Sequence, residues 1–167
     1  MTVRLCLPYP DPRLKMQALA VEGISDQVRA IWADMVDTME AMPGLGLAAP
    51  QIGYGLRLAV VNCSIQRGQA VLMANPEVLH ASAQIRDHEE ASPNLPGSSA
   101  LITRPLAVTV SFLNAEGAYE QHDFVQVWAT SVQHQIDHLN GKMYFDHLSP
   151  LRRRMLLTKA QKLKVRG

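Results

Sequence analysis

Residues 124–139, FVQVWATSVQHQIDHL, constrain this chain more than any other stretch. Val125, Trp128, Ala129, Val132, Ile136 and Leu139 repeat at helical spacing as one apolar stripe, while the opposite side carries Val127, Thr130, Ser131, His134 and His138. Neither side is plainly solvent-like. A helix from about Phe124 to Leu139, closed by Gly141, is therefore expected at the centre of the fold, one side on the core and the other on a cleft.

The rest of the chain must supply the cover. From Ser25, an N-cap residue, to about Met42, Val28, Ile31, Trp32, Met35 and Met39 recur at helical spacing until Pro43-Gly44 ends the pattern. RLAVVNC (57–63) and AVLMANP (70–76) read as buried strands. LAVTVSFLN (106–114) alternates Val108, Val110 and Phe112 on one side before a turn near Asn114–Gly117. Ser149-Pro150 marks the start of a terminal helix to about Lys164, whose apolar side is expected at Leu151, Met155, Leu156 and Leu163. Helix, strands, helix, helix is the order of an α+β fold, and 167 residues suit one domain, 1–167.

A net charge of +1 argues against a DNA binder or a membrane-surface protein. The average hides a basic tail, since seven of the sixteen Lys and Arg lie between Arg152 and Arg166. No run reaches the roughly 18 apolar residues of a membrane span. The prolines near the start do not suit a signal peptide, and two cysteines, Cys6 and Cys63, do not make a disulfide framework. A cytoplasmic protein is expected.

QHQIDHLNG (133–141) places His134 and His138 four apart, one helical turn, where two imidazoles can share a metal. In the H-E-x-x-H pattern a glutamate between them takes a proton from metal-bound water, but Gln135 stands there. On spacing alone, two packed or surface histidines serve as well. GLGLAAPQIG (44–53) reads alone as a tight turn into a strand, and EEASPNLPG (89–97) reads alone as a loop.

Together, in this order, the three stretches resemble the signature motifs of peptide deformylases, G-x-G-x-A-A-x-Q, E-G-C-x-S and H-E-x-D-H. PDPRL, ANPEVL, ITRP and GKMYFDHLSPLRR extend the resemblance over nearly the whole chain. It implies antiparallel sheets around a central helix that carries the histidine pair, with a C-terminal helix. It also implies removal of formyl from the N-terminal methionine of new proteins, by a divalent metal held on one cysteine and two histidines. His134 and His138 fall at the histidine ligands and Gln51 at the oxyanion glutamine. Leu45 and Gly46 fall in the peptide groove, and Val127, Thr130 and Ser131 in the pocket for the first side chain. Thr130 and Ser131 are more polar than a methionine pocket needs.

Three positions depart from the motifs. Ser92 replaces the cysteine ligand, and a hydroxyl binds divalent metals poorly beside a thiolate. Pro93 follows it where the family uses a backbone N–H, and proline has none. Gln135 replaces the base, and an amide does not accept a proton at neutral pH. For His88, Glu89 or Glu90 to donate instead, a strand or loop neighbour must turn inward. The expectation is a deformylase-like protein without the standard activity, holding a divalent metal (Zn, Fe or Ni) weakly or not at all at His134 and His138, and binding a peptide N-terminus or a partner in its groove. One alternative is an active metallohydrolase with an altered metal site. Another is a ribosome-associated module that uses residues 150–167.

Overall fold

A computed structural model describes residues 2–166. Helix α1 (Asp26–Glu40) starts where the Ser25 hydroxyl accepts from the Val28 N–H, and Val28, Ile31, Trp32, Met35 and Met39 are all buried, as their spacing predicts. They pack on Leu47, Ile52, Leu58 and Val60.

Strands β1 (Gly46–Ala48), β2 (Leu58–Val61), β3 (Val71–Ala81), β6 (Ala107–Leu113) and β7 (Tyr119–Val125) form one antiparallel sheet in the order β1-β2-β3-β6-β7. Strands β4 (Ile85–Glu90) and β5 (Ala100–Pro105) form a separate antiparallel pair. β2 and β6 stand where the apolar runs put them. β3 runs five residues past the expected end, through Pro76, with register shifts between Ala74 and Glu77 and between Val78 and His80. A proline fits inside a strand where the ladder is already interrupted.

Helix α2 (Val127–Leu139) begins three residues later than expected. Phe124 and Val125 belong to β7, paired with Val108 and Ala107, and Gln126 turns the chain at φ 57°. Phe124 is buried in the sheet while Val125 is exposed, so the apolar stripe starts at Trp128. Apolar residues at 124 and 125 satisfy a strand and a helix equally, and the β6 ladder decides between them. The helix is central, as expected: Ala129, Val132 and Leu139 are buried on one side and Thr130, Ser131, His134 and His138 on the other.

Helix α3 (Pro150–Arg166) opens with Ser149 Oγ accepting from the Arg152 N–H. Its packed side includes only Leu156 of the four residues expected there. Leu156 and Leu157 join the cluster of Met143, Tyr144 and Phe145, and Ala160 is buried, whereas Leu151, Met155 and Leu163 are exposed. No described helix is long and apolar enough to cross a membrane.

Gly141 closes α2 at φ 76°, and a Cβ there would lie 2.4 Å from the carbonyl oxygen of Lys15. This pins the N-terminal segment to the end of the histidine helix. Gly141→Ala is expected to cost about 2 kcal/mol or more in urea denaturation, combining positive φ with a backbone clash. Gly23→Ala, where a Cβ meets nothing within 4 Å, is expected to stay within about 0.5 kcal/mol of the parent.

Candidate functional site

The site lies where α2 meets β4. Strand β4 alternates, turning Arg86, His88 and Glu90 inward and leaving Ile85, Asp87 and Glu89 exposed. Glu90 reaches the helix, its Oε1 2.8 Å from His134 Nδ1. Arg104, on β5, donates to both Glu90 oxygens at 2.7 and 2.9 Å and to Asp137 Oδ2 at 2.8 Å. His147 Nε2 lies 2.6 Å from the same Asp137 oxygen.

Burial pushes the Glu90 carboxyl up, but hydrogen bonds from His134 and Arg104 outweigh it and leave the group below its ordinary value. Asp137 behaves alike: burial raises it, and His147 with Arg104 brings it below the ordinary range. Burial disfavours the Arg104 cation, yet Glu90 and Asp137 hold its value above normal. Glu90 has thus turned inward, but as the partner of a histidine ring.

The two imidazoles meet edge to edge, Nε2 to Nε2, at 3.2 Å. Two ligands of one tetrahedral metal, each bonded at about 2.0–2.1 Å, would stand about 3.3–3.4 Å apart, so the pair keeps a metal-like separation. Glu90 orients His134 as a carboxylate orients a metal-bound histidine. His138 has no such support, because its buried Nδ1 has no hydrogen-bond partner. With Nδ1–H of His134 given to Glu90, the contact between the rings is satisfied when one Nε2 donates to the other. Burial, reinforced by His134, holds His138 well below the ordinary imidazole value.

The third ligand position does not fit a metal. Ser92 is buried, and its Oγ donates to Asn94 Oδ1 at 3.1 Å. Among the described residues, no group of three or more His, Cys, Asp or Glu is placed to hold a metal ion.

Gln51 is drawn into the same network. Its Oε1 accepts from the Ala48 N–H at 2.8 Å, and its Nε2 donates to Asn94 Oδ1 at 2.8 Å, with Ser92 Oγ 3.4 Å away. Asn94 Nδ2 in turn donates to the carbonyls of Leu7 and Gln51 at 2.7 and 3.1 Å. One Nε2 proton is thus given to Asn94, and the second has Ser92 Oγ at 3.4 Å.

A cavity of about 400 Å³ opens between these elements. Of the residues singled out in the sequence, it brings together Leu45, Gly46, Gln51, Ser92, Pro93, Val127, Thr130, Ser131, His134 and Gln135. His138 is off the wall, fully buried behind His134. Gly46 lets β1 approach α2: a Cβ there would lie 2.7 Å from both Gln135 Nε2 and Ser131 Oγ, and Ser131 Oγ donates to the Leu45 carbonyl at 3.1 Å. Gln135 is buried and its Oε1 has no hydrogen-bond partner among the described residues.

Sequence reasoning missed Asn94 and Arg104. Asn94 falls at the serine of E-G-C-x-S, a fourth departure visible by alignment. Arg104 sits in the ITRP stretch, where nothing local marks it as the counter-ion of Glu90.

The sequence matches the family described as polypeptide deformylase over residues 3–154. It is 38% identical over 168 residues to the peptide deformylase of Afipia carboxidovorans, covering 98% of each chain. It is 36% identical to that of Acinetobacter baumannii, covering 94% of this chain and 89% of the relative. A crystal structure of a peptide deformylase from Legionella pneumophila superimposes with TM-score 0.91 at 36% identity, covering 98% of this chain and 96% of the other. A peptide deformylase from Ehrlichia chaffeensis, solved in complex with actinonin, gives TM-score 0.91 at 32% identity, covering 97% and 98%.

Glu90 and Asp137 have lowered values in the folded state, so their stabilisation is complete above the unfolded carboxylate range near pH 4 and is lost as pH falls through the folded values. Stability from urea denaturation is expected to hold between about pH 5 and 7 and to drop below about pH 4. Arg104→Ala, which strands two carboxylates, is expected to cost about 3–5 kcal/mol at pH 7 and to move the acid midpoint upward.

Proposed function

The chain belongs to the polypeptide deformylase family, and from that premise we propose that it no longer performs the standard metal-dependent removal of formyl but keeps its groove for a peptide amino terminus or a partner. The observation that carries this reading is the hydrogen-bonded set Gln51, Ser92 and Asn94. Ligand position and oxyanion donor are tied to one another, so neither is left for a metal or a reacting carbonyl. The lost contributions are each sizeable. One oxyanion donor is typically worth about a hundred- to a thousandfold in rate, and a general base about a hundred- to ten-thousandfold. They need not multiply, because groups acting as a unit are not additive.

Gln135 supports the same reading from the energetic side. At 4% exposure, a carboxylate without a nearby cation would be a costly buried charge, and an amide avoids that cost. The histidine pair alone would hold Zn, Fe or Ni weakly, since two neutral imidazoles lack the anionic sulfur that completes such a site.

A second reading concerns α3 and is compatible with the first. Leu151 and Met155, one turn apart, stay exposed beside Arg152, Arg154 and Lys159, which favours docking on a polyanionic assembly such as the ribosome.

Three measurements decide. With formyl-Met peptide and added iron, nickel or zinc, turnover is expected below about a hundredth of the ordinary enzyme rate near 10 per second. A rate within about tenfold of ordinary would mean an active hydrolase with an altered site. The variant Ser92→Cys, Pro93→Leu, Asn94→Ser, Gln135→Glu is expected to gain about one metal per chain by elemental analysis, where the parent holds far less, and to raise turnover at least about a hundredfold. Co-sedimentation with ribosomes is expected to weaken for Arg152→Glu with Arg154→Glu; no change there would remove the second reading.

A further inference from the structure

Resting on the reading that the groove still binds a peptide amino terminus, a further question is which first side chain it takes. The inward row of β4 supplies the answer. Arg86 and Arg104 are directly opposed across the β4–β5 ladder, so two guanidiniums share one face. Arg104 is neutralised by Glu90 and Asp137. Arg86 has no carboxylate partner among the described residues; its Nη1 donates at 3.1 Å to Oγ1 of Thr130, which lines the cavity. Of the two opposed cations, Arg86 is thus the one without a counter-ion, and an anion nearby would supply it.

Two buried groups on the same wall are unspent. Among the described residues His88 Nδ1 and Gln135 Oε1 have no hydrogen-bond partner, and both residues line the cavity. Leaving such groups unpaired costs about 1–3 kcal/mol each, which an occupant would recover. Of the outward carboxylates, Asp87 is taken by Thr103 and Glu89, at the rim, by Ser99. A thioether is only a weak acceptor and would satisfy such donors poorly.

We propose that the groove takes a peptide amino terminus whose first side chain ends in a carboxylate or carboxamide oxygen, received by His88 and Thr130 with the Arg86 guanidinium held behind Thr130, while Gln135 Oε1 accepts a backbone N–H. Val127 lines the same cavity and covers the methylenes. The cavity thus reads an acceptor oxygen where a methionine pocket would be apolar throughout.

The test is calorimetric titration of the full chain with the tripeptides Glu-Ala-Ser, Gln-Ala-Ser, Met-Ala-Ser, formyl-Met-Ala-Ser and Lys-Ala-Ser. The Glu and Gln peptides are expected to bind at least about tenfold more tightly than the Met and Lys peptides. Glu above Gln would mean that the Arg86 charge contributes from behind Thr130, and equal binding that hydrogen bonds suffice. Arg86→Leu and Thr130→Val are each expected to shrink the preference to about threefold or less. If either variant fails to fold, the ranking on the parent chain still decides. Met or Lys binding as tightly as Glu and Gln, or no binding by any peptide, overturns the inference. Formyl-Met bound most tightly but left intact would sink this inference and leave the loss of catalysis standing; formyl-Met hydrolysed at an ordinary rate would sink the proposed function itself.

Discussion

The contact between Glu90 and His134 holds the two halves of the site together. One residue comes from a two-stranded sheet and the other from the central helix, and a single carboxylate joins them at 2.8 Å. A buried carboxylate is costly unless paired, and Arg104 meets that requirement with two hydrogen bonds while also reaching Asp137, which directly precedes His138 on α2. The cavity walls are therefore set by electrostatics. Apolar packing fixes where α2 lies against the large sheet, through Ala129 and Val132, and seats β5 through Ile102 against Met143, Tyr144 and Phe145, while the ion pairs join β4 to α2.

This separation of roles explains how the reactive positions could change without loss of the fold. Ser92, Pro93, Asn94 and Gln135 lie outside the ion-pair network. Ser92 and Asn94 satisfy one another and Gln51, so a buried glutamine that would otherwise wait for a ligand is supplied with partners inside the chain. Asn94 suits that position because a carboxamide both accepts, from Ser92 and Gln51, and donates, to the Leu7 and Gln51 carbonyls. A serine there has one hydroxyl and could not serve all four.

Much of the fold was legible because its signals are local and apolar. The α1 row and the Val108–Phe112 alternation need no partner to be recognised, and the positive φ at Gly141 agrees with its reading as a helix terminator. Strands β4 and β7 were not legible, for RDHEE and YEQHDFV carry too little apolar alternation to announce a strand. In β4 the inward row is Arg86, His88 and Glu90, whose burial depends on partners elsewhere in the chain. The start of α2 failed for a related reason, since Phe124 and Val125 fit either period and only the pairing with Val108 and Ala107 decides. At the site, positions that align with a motif could be read, whereas Arg104 could not, because its role is defined by what lies opposite it in space.

Gln135 connects the proposed loss of chemistry to the proposed binding groove. Ser92 and Gln51 have been made self-sufficient, but Gln135 Oε1 remains buried without a partner. A chain keeping only its fold would gain about 1–3 kcal/mol by replacing that amide with an apolar side chain or by pairing it, as it has paired Gln51. An acceptor kept on a cavity wall can be paired by an occupant that brings an N–H. Arg86, opposed to Arg104, has no carboxylate partner among the described residues and stands behind the cavity wall with its Nη1 given to Thr130. An acceptor on the wall and a cation behind Thr130 suit a ligand with a donor at one end and an acceptor oxygen at the other, and a peptide terminus has that character.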